Sequence, residues 1–92
     1  MFKQFEVGQE YAFTPDYSDR RYYFKAVCIN RTPKFVEFYC PTSRGQLILA
    51  TEAVKHHYRL KIRQSETCEY VVKGHWICTA NESFEYVKSL AR

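Results

Sequence analysis

Lys55-His56-His57-Tyr58-Arg59-Leu60-Lys61-Ile62-Arg63 divides cleanly with period two. Lys55, His57, Arg59, Lys61 and Arg63 fall on one side. His56, Tyr58, Leu60 and Ile62 fall on the other. Successive side chains of a β-strand point to opposite faces, so the spacing predicts a strand with a cationic ladder outside and an apolar face inside. The charge count sharpens this. The chain carries 14 Lys and Arg against 10 Asp and Glu. Residues 54–63 hold four of those cations and no acid, and removing them leaves ten of each sign. The net charge of +4 is therefore the charge of this one stretch.

Outward from the ladder, the same β character continues. Aromatic and β-branched residues dominate, and turn residues fall at short intervals, the pattern of a small antiparallel β protein. Glu10–Thr14 reads as a first strand ended by Pro15-Asp16. Arg21–Asn30 (RYYFKAVCIN) is apolar on both faces and is expected to lie centrally. Thr32-Pro33 is a turn. Lys34–Cys40 returns with Val36, Phe38 and Cys40 on one face, which makes the best-defined hairpin. Pro41–Gly45 is a loop, Gln46–Ala50 a short buried strand, and Thr51–Val54 one helical turn. Gln64–Thr67 connects a hairpin. Cys68–Lys73 and His75–Ala80 are two strands, or one strand bent at Gly74.

The period then changes. Thr79-Ala80-Asn81-Glu82 fits a capping box, and Phe84, Val87, Leu90 and Ala91 share a helical face. The expected fold is all-β: a small antiparallel barrel or strongly bent sheet of five to six strands, with a short C-terminal helix covering one open end. Ninety-two residues without a repeat or linker make one domain, residues 1–92. Seven Phe, eight Tyr and one Trp supply a large apolar core for so short a chain.

The opening Met1–Glu6 has no long apolar run after its charge, so no signal peptide is expected. No stretch approaches the ~18 apolar residues of a membrane span. A cytoplasmic setting is expected, with Cys28, Cys40, Cys68 and Cys78 as reduced thiols.

Several short motifs resemble a known group. Phe5-Glu6-Val7-Gly8-Gln9-Glu10-Tyr11 has the form F-E-V-G-x-x-Y. Arg31-Thr32-Pro33-Lys34-Phe35-Val36 follows between two strands, then the basic strand, then Glu69-Tyr70 and a closing Gly-aromatic strand. The chain resembles small uncharacterised proteins carried by phages and plasmids of gut Firmicutes, over most of residues 2–80. It departs from them in a longer segment at 41–58 and in the C-terminal helix. The resemblance carries no residue-by-residue activity. It implies a mobile-element setting, in which small non-enzymatic proteins often inhibit host defence nucleases, the anti-CRISPR type among them.

The expected function is a non-enzymatic inhibitor that docks on a host defence nuclease and blocks nucleic-acid loading. The alternative is a direct nucleic-acid-binding accessory protein using residues 55–63. For the ladder itself three readings stand side by side. It is a solvated face whose lysines guard against edge pairing, a nucleic-acid contact, or a contact for an acidic protein surface such as that of a host nuclease. Cations two residues apart on a strand are ~6.5–7 Å apart, comparable to a run of phosphates, and such contacts are salt-sensitive. Tyr17 and Arg20, in the polar loop Asp16–Arg20, and Arg21, which opens the next strand, extend the candidate partner-binding set. Tyr22, Tyr23, Tyr39, Tyr58, Trp76 and Tyr86 are the other rings that could stack on bases.

Cys40, Cys68, His75 and Cys78 form a candidate structural zinc set, with His56 or His57 as substitutes. The alternative is that the thiols are small apolar core residues. On a regular strand positions 75 and 78 face opposite sides, so the set requires a bend at Gly74. No paired acidic motif, phosphate loop or nucleophile elbow occurs, so no catalytic residue is assigned and an enzyme is not expected.

Overall fold

The β2–β3 hairpin organises the sheet in a computed structural model that describes residues 2–16, 22–40 and 57–90. β2 (Phe24–Arg31) and β3 (Phe35–Tyr39) pair antiparallel around the turn at Thr32–Lys34. The turn is fixed by Thr32, whose N–H donates to the Phe35 carbonyl at 2.8 Å and whose Oγ1 accepts the Phe35 N–H at 3.1 Å. Val36, Phe38 and Cys40 are all fully buried, as the alternation requires.

Around this hairpin lie β1 (Glu10–Pro15), β4 (His57–Lys61), β5 (Arg63–Gln64), β6 (Glu69–Lys73) and β7 (Trp76–Ser83). Side by side they run β4-β3-β2-β1-β7-β6-β5, every pairing antiparallel. β4 and β5 are one stretch of chain broken at Ile62. Its first half pairs with β3 and its second with β6, so the sheet curls back on itself into a nearly closed barrel. This break explains why seven strands are seen among the described residues where five to six were expected. A closed sheet has to serve two neighbours that diverge, and a short segment does so by bending. The expected strand at 46–50 and the helical turn at 51–54 lie outside the described residues.

Gly74 does not bend one strand but reverses the chain. Lys73 pairs with Trp76, which leaves Gly74-His75 as a two-residue turn, with Gly74 at φ +60°. Glycine is the residue that adopts this left-handed conformation without strain.

The core is aromatic. Phe5, Phe13, Phe24 and Phe38 are fully buried, with Phe38 edge-on to Phe5 at 5.2 Å and to Phe13 at 5.8 Å. Phe5 precedes β1. Its segment begins beside β6, where Lys3 N–H donates to the Thr67 carbonyl and Glu69 N–H to the Lys3 carbonyl. It ends beside β2, where Gly8 N–H donates to the Cys28 carbonyl and Cys28 N–H to the Gln9 carbonyl. Residues 3–9 thus cross one end of the barrel with Phe5 pointing in.

That placement corrects the expected role of the helix. α1 (Phe84–Leu90) packs on the outside of β1: Phe84 and Val87 cluster with Ala12, which alternates with the core residues Tyr11 and Phe13. Alanine lets the helix approach the sheet closely. Leu90 is exposed, so the buried stripe is shorter than its spacing suggests. The cap is also displaced from Thr79. β7 continues through residues 79–82, with a bulge opposite β1, and Ser83 Oγ accepts the Tyr86 N–H at 3.2 Å. Ser83→Ala should destabilise the protein by about 1 kcal/mol and Ser83→Gly by a few tenths, read as shifts in the urea midpoint. Equal losses for both would argue against the cap. The seven-residue α1 is the only helix among the described residues, and none is long and apolar enough to cross a membrane.

A charged group is buried where none was expected. Glu69 is 1% exposed. Arg31 grips it with both arms, Nη1–Oε1 at 2.7 Å and Nη2–Oε2 at 2.9 Å. Phe5 N–H donates to Oε1 at 2.9 Å, and Arg31 Nη1 donates to the Phe5 carbonyl at 2.9 Å. Burial pushes the Glu69 carboxyl up, but the hydrogen bonds from Arg31 and Phe5 and the guanidinium charge outweigh it and hold the group below its ordinary value. This network ties the N-terminal segment to the ends of β2 and β6.

Candidate functional site

The outer face of β3 and β4 follows from the inner one. Because Val36 and Phe38 fill the barrel, Phe35, Glu37 and Tyr39 point out. Because Tyr58, Leu60 and Ile62 pack against the core, His57, Arg59, Lys61 and Arg63 point out. All four of these ladder residues are exposed. Antiparallel register sets His57 opposite Tyr39, Arg59 opposite Glu37 and Lys61 opposite Phe35. The face is therefore a cationic row on β4 beside a row of ring, acid, ring on β3.

Its side chains touch. The Arg59 guanidinium lies 4.0 Å from the centre of the Phe35 ring, a cation–π contact. Tyr39 and His57 meet edge to face at 5.2 Å. Tyr39 is 40% exposed, against the half-buried Phe35, so it is the more accessible ring of the two. On its other side Tyr39 pairs with Val27 of β2. The row bends after Lys61: Arg63 belongs to β5 and pairs with Tyr70 of β6. The Lys34 carbonyl accepts the Ile62 N–H at 2.8 Å, which brings the exposed Lys34 beside that bend.

Of the candidate partner-binding residues, the structure brings together His57, Arg59 and Lys61 on one strand, with Arg63 just beyond. Lys55, Tyr17, Arg20, Arg21 and His56 lie outside the described residues. Tyr58 turns inward, half-buried, with Lys73 Nζ 4.3 Å above its ring. Phe35, Glu37 and Lys34 were not picked out from sequence. The signal for the first two was there: assigning Val36, Phe38 and Cys40 to the inner face assigns the odd positions of the same strand to the outer one.

The zinc set is not assembled. Cys40 and Cys78 are fully buried inside the barrel along with Cys28. Cys68 sits at the bridge to Lys3, its sulfur 3.7 Å from Ser65 Oγ. His75 is at the Gly74 turn, its side chain 90% exposed and 3.8 Å from Asp16. Chain reversal, not bending, has carried His75 away from the interior that Cys78 faces. Among the described residues no group of three His, Cys, Asp or Glu is placed to hold a metal ion. Burial pushes the Cys40 thiol up to about 12, with Lys73 pulling it partly back, and pushes Cys78 well up. Protonated thiols of this kind pack as small apolar groups.

Comparison with protein-family models, characterised proteins and solved structures finds no match to this chain.

Proposed function

We propose that this chain is a non-enzymatic binding protein that docks nucleic acid on the outer face of β3 and β4. The observation that supports this is the exposed run of His57, Arg59, Lys61 and Arg63, held outward by the inward Tyr58, Leu60 and Ile62. Arg59, Lys61 and Arg63 supply fixed positive charge. The exposed Tyr39 ring on the same face adds a sequence-tolerant surface for a base. Phosphate contacts of this kind give binding that weakens steeply with salt.

Fluorescence anisotropy with labelled DNA over a salt series tests the reading. Engaging about four phosphates predicts a log–log slope of about −3 on a single strand and about −3.6 on duplex. Arg59→Glu with Lys61→Glu should weaken binding about 100-fold while costing about 1–2 kcal/mol of stability, because the change removes the Arg59–Phe35 contact and sets an acid opposite Glu37. An unchanged affinity in that variant would reduce the ladder to a solubility face.

A second reading is an inhibitor, of anti-CRISPR type, that docks on a host defence nuclease in the cytoplasm and blocks its nucleic-acid loading. The motif resemblance points to that setting. Glu37 favours it structurally, since an acid directly opposite Arg59 makes the face mixed in charge, as protein surfaces are. Adding the protein to a purified RNA-guided nuclease that is cutting labelled DNA separates the two. Inhibition without any DNA binding at low salt would carry this reading over the first.

A further inference from the structure

We infer that the β3–β4 face takes single-stranded nucleic acid in preference to duplex, with one base stacked on Tyr39. This rests on the reading of that face as a nucleic-acid surface. Two rings lie on the face, and they are not equivalent. Phe35 is half-buried and occupied by the Arg59 guanidinium at 4.0 Å. Tyr39 is 40% exposed. It is also held in place: its ring meets His57 edge to face at 5.2 Å, and its strand position pairs with the half-buried Val27 on the far side. A ring already fixed by its neighbours loses little conformational freedom when a base lands on it.

Its position along the face matters as much. Tyr39 sits at the His57 end of β4, and Arg59 and Lys61 follow at successive outward positions ~6.5–7 Å apart. A strand whose base stacks at Tyr39 can run its phosphates toward Arg59 and Lys61 without changing faces. In a duplex the bases are paired and stacked on one another, so no base face is free for Tyr39. A duplex could use only the cations.

The test compares a short labelled oligothymidine, free and annealed to its complement, by anisotropy at low salt. Wild type should bind the single strand more tightly. Tyr39→Ala should lose about tenfold on the single strand, within the range of one base–aromatic stack, and less than twofold on the duplex. Tyr39→Phe should keep wild-type affinity, because stacking needs the ring and not the hydroxyl. An abasic version of the same strand should bind wild type and Tyr39→Ala equally. If single strand and duplex bind alike and Tyr39→Ala changes neither, while Arg59→Glu with Lys61→Glu still weakens both, the stacking inference is overturned and the nucleic-acid reading stands. If neither probe binds, both are overturned.

Discussion

Arg31→Met should destabilise the protein by about 3–5 kcal/mol, the loss expected when one partner of a buried ion pair is removed. For a domain whose total stability is of the order of 5–15 kcal/mol, that is a large fraction. The reason lies in what stays behind. Glu69 would keep its position inside the barrel with one hydrogen bond from Phe5 and no counter-charge. Double replacement, Arg31→Met with Glu69→Met, should recover only part of the loss, because it removes the stranded charge but leaves the Phe5 N–H and carbonyl without their side-chain partners.

Acid provides an independent check. In the wild type the Glu69 carboxyl is held below its ordinary value. The stability this confers is present above the unfolded carboxylate range, about pH 4.3, and is lost as pH falls through the folded value. In Arg31→Met burial is left to dominate, and the carboxyl should rise. The variant's folded state then favours the protonated acid, and its deficit relative to wild type should shrink as pH is lowered toward 4. Urea denaturation of both proteins at several pH values measures it. A deficit that stays constant from neutral pH to acid would mean that the pair does not control the Glu69 proton.

Phe38→Ala is expected to be about as damaging, ~3–5 kcal/mol, as for other large-to-small changes at fully buried rings. Phe38 is 0% exposed and joins elements distant in sequence: Phe5 of the N-terminal segment, Tyr11 and Phe13 of β1. Removing it opens a void at the meeting point of the sheet and the segment that crosses its end. Phe38→Leu should cost much less, and Tyr86→Ala, on the exposed side of α1, within about 0.5 kcal/mol. Thermal or chemical denaturation ranks the three. A small effect at Phe38 would mean that the barrel closes around the gap without difficulty.

Much of the fold was legible because its alternation is regular. Val36, Phe38 and Cys40 declared the inner face of β3, and Tyr58, Leu60 and Ile62 that of β4. Period two says nothing about direction, however, so the break at Ile62 was hidden: inward and outward residues keep alternating straight through it. The helix cap was misplaced for a related reason. Thr79-Ala80-Asn81-Glu82 satisfies the local chemistry of a cap, but pairing of β7 with β1 and β6 keeps that stretch extended, and Ser83 takes the role. Glu69 could not be read as buried, since a carboxylate is ordinarily a surface residue and its partner Arg31 is 38 positions away. Phe5, Arg31 and Glu69, which stand in three separate sequence motifs, meet in this one network, so each has a role in folding. The candidate face was legible as a charge pattern, but its rings and its acid came from the neighbouring strand, which only register could supply.

The place of β1 between β2 and β7 also bears on how the molecule is made. Pro15 pairs with Trp76 and Tyr11 with Ser83, partners 61 and 72 positions apart. The hairpin of β2 and β3 can form as soon as it emerges, and β1 can join it from one side. The other edge of β1 then waits for residues 76–83. Contacts of such sequence separation slow folding toward the millisecond-to-second range. During that wait a strand carrying Tyr11 and Phe13 lies open to pairing with other chains. The stretch 76–83 is the late-arriving partner that ends this exposure.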